Sequence, residues 1–184
     1  MIEPFLLAFY ALSAHAYTRG TWIASESSPV DRTRFSLPYC TPSQLTVPLF
    51  LKWALVWEHP QTGVLWFGRA LPRVWLSDGE RVHVNDTATA YGRVSMQLAS
   101  AIDTNSTIRA RLTLPWTNSS RRVPEGGIRL RLRCPGGRIL SKVVIGGRPW
   151  TSFNASDESI SVSKQDLVAQ GMLAGLRDIV ATWK

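Results

Sequence analysis

The sequence contains little cysteine and asparagine, and it has no long hydrophobic run. Its two cysteines are too few for a disulfide-stabilised miniprotein or for a cysteine-rich zinc site. The longest apolar stretch, residues 4–14, is interrupted by Ser13 and is shorter than the roughly 20 residues of a membrane-spanning helix. We therefore predict no membrane span. The hydrophobic content of 45% excludes an intrinsically disordered chain.

Common motifs for phosphate binding, serine hydrolysis and metal binding are also missing. The sequence contains neither a Gly-x-Ser-x-Gly elbow nor a Gly-rich phosphate loop ending in Lys. His59 and His83 have no histidine or cysteine at ligand spacing, and Asp157 and Glu158 do not follow the EF-hand pattern. We predict no metal site and no cofactor.

Basic side chains outnumber acidic ones by 21 to 13, which gives a net charge of +8. Such a balance is typical of proteins that bind nucleic acid. The densest cluster, however, is Arg129, Arg131 and Arg133, which alternate with apolar residues. This period of two predicts a half-buried strand with all three arginines in solvent. Because no recognition helix or zinc-finger spacing accompanies the charge, we predict no nucleic-acid partner.

The few asparagines all occupy one kind of motif, Asn-x-Ser/Thr. The four sites are Asn85, Asn105, Asn118 and Asn154. Random placement would give this result roughly once in a thousand sequences, so the pattern indicates N-glycosylation in a secretory pathway. In that compartment Cys40 and Cys134 become candidates for a disulfide, although no feature of the sequence fixes their geometry.

The amino terminus has two interpretations. Residues 4–13 resemble the apolar region of a signal peptide, and the small residues at 14 and 16 resemble its cleavage site. Glu3, without any preceding Lys or Arg, is the wrong charge for that signal. The second interpretation is a helix over residues 4–18, in which Glu3 and Pro4 suit the first turn. Its apolar residues surround most of the circumference, which predicts burial in a larger body.

Hydrophobic periodicity predicts a second helix over residues 44–58, although a strand over 49–57 is an alternative. After residue 60 the pattern changes to short period-two segments separated by turn residues, which is typical of an antiparallel β-sandwich. Short helices are expected at 72–76 and 164–174, the latter opening with a Ser163-x-x-Asp166 capping box. The strands are expected near residues 63–69, 80–85, 91–100, 106–114, 126–134, 139–145, 158–162 and 178–183. The predicted fold is therefore mainly β, with a helical segment at 1–60 and a sandwich at 61–184.

Several of these segments resemble parts of six-hairpin glycosidase-like proteins. The matching segments are residues 8–22, 47–56, 63–66, 69–79, 90–95, 128–137 and 143–150. The resemblance implies that the two helices are the last ones of an (α/α)6 toroid and that the remainder is its C-terminal β-sandwich. It also implies a carbohydrate partner and a truncated toroid, because a complete one needs about a dozen helices of ordinary length. The apolar face of the first helix would then be covered by the missing toroid part or by another chain.

The resemblance does not supply a catalytic pair, so a catalytic candidate has to be sought among the few acids of the toroid-like segment. Glycoside hydrolysis generally uses two carboxyl groups, and Glu26 is the candidate in the toroid-like segment. Trp22 is a candidate stacking platform for a sugar, and His15 and Arg19 are candidate ligands for hydroxyl groups. Structural roles remain the alternative for each of them. No partner carboxyl group is identifiable, so the chain by itself is expected to lack a complete active site.

Two functions are therefore compatible with the sequence. In the first, the chain is the C-terminal part of a secreted glycoside hydrolase-like protein, and its sandwich is a structural flank of the toroid. In the alternative, residues 1–16 are a cleaved signal peptide, and a glycosylated sandwich binds sugar or protein. The alternative requires exposed aromatic side chains, for which Trp75, Trp116 and Trp150 are the candidates.

Overall fold

A computed structural model describes residues 2–15, 24–26, 40–117 and 122–184. The chain is mainly β and divides into two compact units, Met1–Ala54 and Leu55–Lys184. The first unit contains the two predicted helices, and the second contains two β-sheets. The predicted order of a helical segment followed by a sandwich is therefore confirmed.

Helix α1 spans Glu3–His15 and helix α2 spans Thr41–Leu55. Their aromatic rings are in contact, since the ring centroids of Phe5 and Phe50 lie 5.5 Å apart. Just before α2, the backbone N–H of Cys40 donates to the carbonyl of Ala24 at 3.1 Å. The predicted extension of the first helix to residue 18 falls outside the described residues. Neither helix has the length and apolarity needed to cross a bilayer, and the same holds for the other helices in the described ranges.

The prediction that α2 continues to residue 58 is wrong. The helix ends at Leu55, and Val56–Glu58 form strand β1, which pairs antiparallel with β2 (Leu65–Phe67). Valine and tryptophan fit an extended strand well, and this tertiary pairing overrides the helical spacing of the apolar residues. The first compact unit ends at residue 54, and the second begins at residue 55.

The sandwich consists of a five-stranded and a six-stranded sheet. The remaining strands are β3 (Arg81–Thr89), β4 (Gly92–Ala101), β5 (Thr107–Thr113), β6 (Ile128–Arg131), β7 (Leu140–Ile145), β8 (Arg148–Trp150), β9 (Phe153–Asn154), β10 (Ser159–Val162) and β11 (Gly175–Trp183). The five-stranded sheet has the order β1-β2-β6-β10-β9, and the six-stranded sheet has the order β3-β4-β5-β11-β7-β8. All pairs are antiparallel except β2 with β6, which is parallel.

Three short helices interrupt the strands of the sandwich. A 3₁₀ helix covers Arg73–Leu76, α3 covers Ile102–Asn105, and α4 covers Lys164–Ala169. The predicted capping box is present at α4, where the Ser163 hydroxyl accepts from the Asp166 amide. The helix ends five residues earlier than predicted, because Gly171 follows it with a positive φ of 66°. The sequence patterns did not identify α3, β8 or β9.

The alternation of side chains along the strands produces one core between the two sheets. In β5, Ile108, Ala110 and Leu112 are buried, while the residues between them face solvent. The same cluster includes Leu65 and Ile128 of the other sheet. At about 25 cal/mol for each Å² of apolar surface removed from water, such a core is the main favourable contribution to the stability of the unit.

The prediction that Arg129, Arg131 and Arg133 all face solvent is wrong for the last of them. Arg129 is exposed and Arg131 is half-buried, but Arg133 is buried and donates from Nη1 to the carbonyl of Leu71 at 2.9 Å. The reason is that β6 ends at Arg131. Beyond that residue the period of two no longer describes which side chains lie in the core.

A buried carboxylate connects three segments of the sandwich. Glu158 accepts from the backbone N–H of Cys134 at 2.9 Å and forms an ion pair with Arg73, also at 2.9 Å. Arg73 additionally donates to the carbonyl of Cys134. The backbone of Glu158 has a φ of +57°, a conformation that a non-glycine residue rarely adopts. The contacts therefore hold a strained residue that joins the 3₁₀ helix to the segment after β6.

We expect Glu158→Gln to lower the free energy of unfolding of the sandwich by about 2 kcal/mol. The substitution keeps the shape of the side chain but replaces a charged acceptor with a neutral one, and hydrogen bonds to charged groups contribute about 1.5–3 kcal/mol. Urea denaturation followed by circular dichroism measures the change. Glu80→Gln, at an exposed carboxyl group beside β3, is the matched control and should change stability by less than about 0.5 kcal/mol. Equal stability of the two variants would contradict the role of Glu158.

Candidate functional site

Four candidate site residues come from the helical segment, and the structure describes them only in part. They are Glu26, His15, Arg19 and Trp22. Glu26 is exposed in a bend, two residues after Ala24, and it makes no hydrogen bond or ion pair with any residue in the described ranges. His15 is the last residue of α1, while Arg19 and Trp22 lie outside the described residues. The roles of all four residues therefore remain predictions.

The aromatic residues proposed as an exposed binding platform are not exposed. Trp116 is only 1% accessible, and its indole N–H donates to the carbonyl of Tyr91 at 2.8 Å. Trp150 is half-buried and donates to the carbonyl of Ser161 at 3.0 Å, while Trp75 packs against the core. The prediction that these side chains present open rings is wrong, because each has become part of the sandwich packing.

A row of tryptophan and arginine side chains crosses the five-stranded sheet. Trp57 pairs with Trp66 across β1 and β2, and Trp66 pairs with Arg129 across β2 and β6. The guanidinium of Arg69 lies 3.6 Å from the ring centroid of Trp57, and that of Arg129 lies 5.2 Å from the ring of Trp66. Burial, and next the charge of Arg131, lowers the pKa of Arg69, although an arginine remains charged at neutral pH. These cation–π contacts occupy ring faces that would otherwise be available to a sugar.

The carboxylates of the sandwich serve mainly as structural acceptors. Asp78, for example, accepts from the backbone amides of Asp103 at 2.9 Å and Thr104 at 3.2 Å at the start of α3. These bonds, with the Asp103 amide contributing most, lower the pKa of Asp78. The other carboxylates engaged in hydrogen bonds or ion pairs are Glu58, Asp86, Asp103, Glu125, Asp157, Glu158, Asp166 and Asp178. A pair of unengaged carboxyl groups, as expected for a glycosidase centre, is not found among the described sandwich residues.

A concave surface lined by polar side chains lies on the outer face of the six-stranded sheet. It is a shallow groove of about 310 Å³ across β3, β4, β5 and β11. Arg81, His83, Arg109 and Arg111 project into it, and the small side chain of Ala99 leaves space in its centre. The groove is open to solvent and is lined by three guanidinium groups against one carboxylate. We call these four basic side chains the basic quartet.

The carboxylate beside the basic quartet comes from a β-bulge in β11. The register of β11 shifts between Leu176 and Ile179, and Asp178 adopts a φ of +54°. This places the Asp178 carboxylate 4.0 Å from the guanidinium of Arg111. Arg177, on the same bulge, lines a second cavity of about 410 Å³ together with Arg148. The bulge therefore directs neighbouring opposite charges into two different depressions.

The basic quartet was not identified from the sequence. Its members occupy alternate positions of two strands that the sequence correctly predicted, near 80–85 and 106–114. The sequence did contain one signal for this surface, because the outward-facing positions of each of the two strands carry basic side chains. The two strands become neighbours of the same groove only because β4 lies between them, and that order is not visible in a linear pattern.

Three of the four predicted glycosylation sites lie within the described residues, and all three asparagines are exposed. Asn85 is on β3, Asn105 ends α3, and Asn154 is on β9. The side-chain oxygen of Asn154 accepts from the Ser156 hydroxyl at 2.8 Å, so the two polar residues of that motif are adjacent. Asn118 lies outside the described residues. Exposure is a requirement for attachment, and glycosylation itself remains a prediction.

Cys40 and Cys134 are both free thiols in the structure and belong to different units, so their pairing remains a prediction. Cys134 belongs to the core of the sandwich. Burial, followed by the charge of Glu158, raises the pKa of its thiol to about 11. A thiol in this environment is a poor nucleophile at neutral pH, which favours a packing role over a catalytic one.

Comparison with known proteins yields no matching family model and no matching curated relative. The likeness to six-hairpin glycosidases therefore depends on the sequence segments described above. Within the described ranges, no group of three His, Cys, Asp or Glu side chains is placed to hold a metal ion.

The two cysteines should differ strongly in their reaction with a thiol reagent. At pH 8 only about one Cys134 thiol in a thousand is ionised, since its pKa is about 11. We expect dithionitrobenzoate to modify Cys40 in the native chain and Cys134 only after denaturation. Cys40→Ser is the control, because it should remove the fast reaction alone. If neither cysteine reacts with the reagent in denaturant, and both react after reduction, the two cysteines form the disulfide instead.

Proposed function

We propose that this chain is the non-catalytic C-terminal part of a secreted, glycosidase-like protein that acts on carbohydrate. The two helices would be the end of an α/α toroid, and the sandwich would be its accessory unit. The observation on which this proposal chiefly depends is the exposure of large apolar side chains along α1 and α2. These residues are Leu7, Tyr10, Leu45, Leu49, Leu51 and Trp53.

Apolar exposure on this scale is expected where a helix normally packs against further helices. Leu7 is 73% exposed and Leu45 is 60% exposed, whereas Leu6 and Phe9 on α1 are buried. Contiguous apolar surface in water favours association or the binding of a partner. The earlier helices of a toroid are the covering partner that the sequence resemblance suggests, and α1 and α2 would complete their layer.

The absence of free carboxyl pairs in the described sandwich supports a non-catalytic role for that unit. Its carboxylates bind backbone amides, as at Asp78, or form ion pairs, as at Glu158. A general acid needs a proton at the working pH, whereas the backbone hydrogen bonds to Asp78 lower the pKa of its carboxyl group. In this proposal, catalysis would require carboxyl groups of the toroid, and Glu26 is the candidate within this chain.

The alternative is a secreted binding module that begins after a signal peptide. The basic quartet favours some binding role for the sandwich, because a concave surface lined by three guanidinium groups and one carboxylate is suited to a polar ligand. The closed packing of Trp116 and Trp150, on the other hand, removes the aromatic platform that this alternative required. A binding role is compatible with an accessory unit, so the two functions differ mainly in the fate of residues 1–16.

We expect the isolated chain to associate through its helices. In sedimentation velocity, its mean mass should rise with concentration, and Leu7→Gln combined with Leu45→Gln should make it monomeric, because both side chains are exposed on the helices. The matched control is Val74→Gln combined with Val168→Gln, which removes two exposed apolar side chains from the sandwich. This control should still associate. A wild-type chain that is monomeric at all concentrations would contradict the proposal.

The fate of residues 1–16 distinguishes the two functions. Expressed in a eukaryotic host, the chain should retain these residues if α1 (Glu3–His15) is the end of a toroid, as we propose. If an added signal directs it to the secretory pathway, glycans should be attached at the exposed residues Asn85, Asn105 and Asn154. Intact mass before and after deglycosylation measures both results, and Asn→Gln variants identify each site. Cleavage after residue 16 would support the binding module instead.

A further inference from the structure

We propose that the basic quartet, together with the groove that it lines, binds an acidic polysaccharide, whose carboxylate or sulfate groups contact the arginines. This inference deepens the proposed function and depends on its carbohydrate assignment. The site is the outer face of the six-stranded sheet, and the class of ligand is the polyanionic glycans.

The strand register places the quartet in two parallel rows. Arg81 is opposite Ala99, and Ala99 is opposite Arg109, so the two arginines flank a small residue. With neighbouring strands about 4.8 Å apart, the backbones of Arg81 and Arg109 are separated by about 10 Å. The two arginines of this row are therefore far enough apart for one polymer chain to lie between them, over Ala99.

The second row repeats the arrangement two residues further along the strands. His83 is opposite Gln97, and Gln97 is opposite Arg111. Two residues of a strand correspond to about 6.6 Å, so cationic or donor side chains recur along the groove. The amide of Gln97 lies between the two basic residues and offers both a donor and an acceptor to sugar hydroxyl groups. A ligand with repeated charges and hydroxyl groups fits this spacing.

The charges of the quartet are largely uncompensated. Arg81 and Arg109 have no ion-pair partner among the described residues, and Arg111 has only the 4.0 Å contact with Asp178. That contact is between exposed side chains, so it contributes little free energy and is easily exchanged for a ligand. Planar guanidinium groups donate two parallel hydrogen bonds to a carboxylate or sulfate, which makes them suitable receptors for acidic sugars.

An acidic polysaccharide fits this face better than a nucleic acid does. Proteins that bind single strands usually add aromatic rings for base stacking, but the outward positions of β3, β4, β5 and β11 contain no Trp, Tyr or Phe within the described residues. Reading a duplex requires an element that enters a groove, whereas this surface is a shallow concavity on a sheet. Its uncharged lining, Gln97 and Ala99, is suited to hydroxyl groups and the edges of sugar rings.

The test compares ligands on the intact chain by isothermal titration calorimetry at low salt. The probes are polygalacturonate, dextran sulfate, neutral dextran and a single-stranded oligonucleotide. We expect polygalacturonate and dextran sulfate to bind, with an affinity that falls as the salt concentration rises. Neutral dextran should not bind.

Arg81→Gln combined with Arg109→Gln should weaken binding about tenfold or more, which corresponds to about 1.4 kcal/mol. Both substitutions are at exposed positions, and circular dichroism confirms that the fold is retained.

The matched control removes two positive charges away from the groove. Arg122→Gln combined with Lys184→Gln changes the net charge equally, at exposed residues outside the strands of this sheet. Its affinity should stay within about twofold of wild type, whereas equal loss in both double variants would show diffuse attraction and overturn the proposal. Asn85 is two residues after His83 on β3, so a glycan attached there would lie beside the groove. The titration is therefore made on unglycosylated protein.

The remaining outcomes separate this inference from the proposed function. Tighter binding of the oligonucleotide than of either acidic glycan would assign the face to nucleic acid and overturn the proposal. Binding of neutral dextran alone would also overturn it, while leaving a carbohydrate role intact. Failure of all four probes would overturn the assignment of the groove only, since helix association and the fate of residues 1–16 test the proposed function separately.

Discussion

Every second side chain of the long strands has to enter the space between the two sheets, because consecutive residues of a strand point to opposite faces. In β5 this constraint buries Ile108, Ala110 and Leu112 and places Arg109 and Arg111 outside. The same alternation in β3 buries Val82 and Val84 and exposes Arg81 and His83. The core and the basic groove are thus two results of one constraint. A register slip of one residue would place arginines in the core, so the apolar side chains also fix the geometry of the charged face.

The electrostatic character of that face depends on where the acidic residues are used. Glu158 and Asp78 bind segments at the ends of the strands, where they satisfy backbone amides and an arginine. Carboxylates employed in this way compensate local charges and do not reach the middle of the six-stranded sheet. Among the described residues that line the groove, Asp178 is consequently the only acid beside Arg81, Arg109 and Arg111. The positive surface thus results both from the clustering of basic side chains in the groove and from the use of most acids elsewhere.

Much of the fold could be predicted, because period-two patterns and turn residues are local signals. The longer strands of the sandwich and the Ser163 capping box were recognisable in this way. The strand β1 was not, since Val56 and Trp57 continue the helical spacing of α2 and become a strand only by pairing with β2. Burial of Trp116 and Arg133 likewise depends on partners distant in sequence, Tyr91 and Leu71. The candidate groove was missed for the same reason, because it requires the spatial order of three strands.

The two units differ in what they need from other molecules. The sandwich has its own core, whereas α1 and α2 expose leucines that need a covering layer. If that layer is a toroid with a catalytic carboxyl pair, a separate basic surface for an acidic polymer has a physical advantage. A cation beside a general acid lowers the pKa of the carboxyl group and removes the proton that the reaction needs. Guanidinium groups on a different unit increase affinity for the polymer without this effect. Several weak contacts along one chain of sugars then add to the binding at the catalytic cleft, because the second contact is intramolecular once the first has formed.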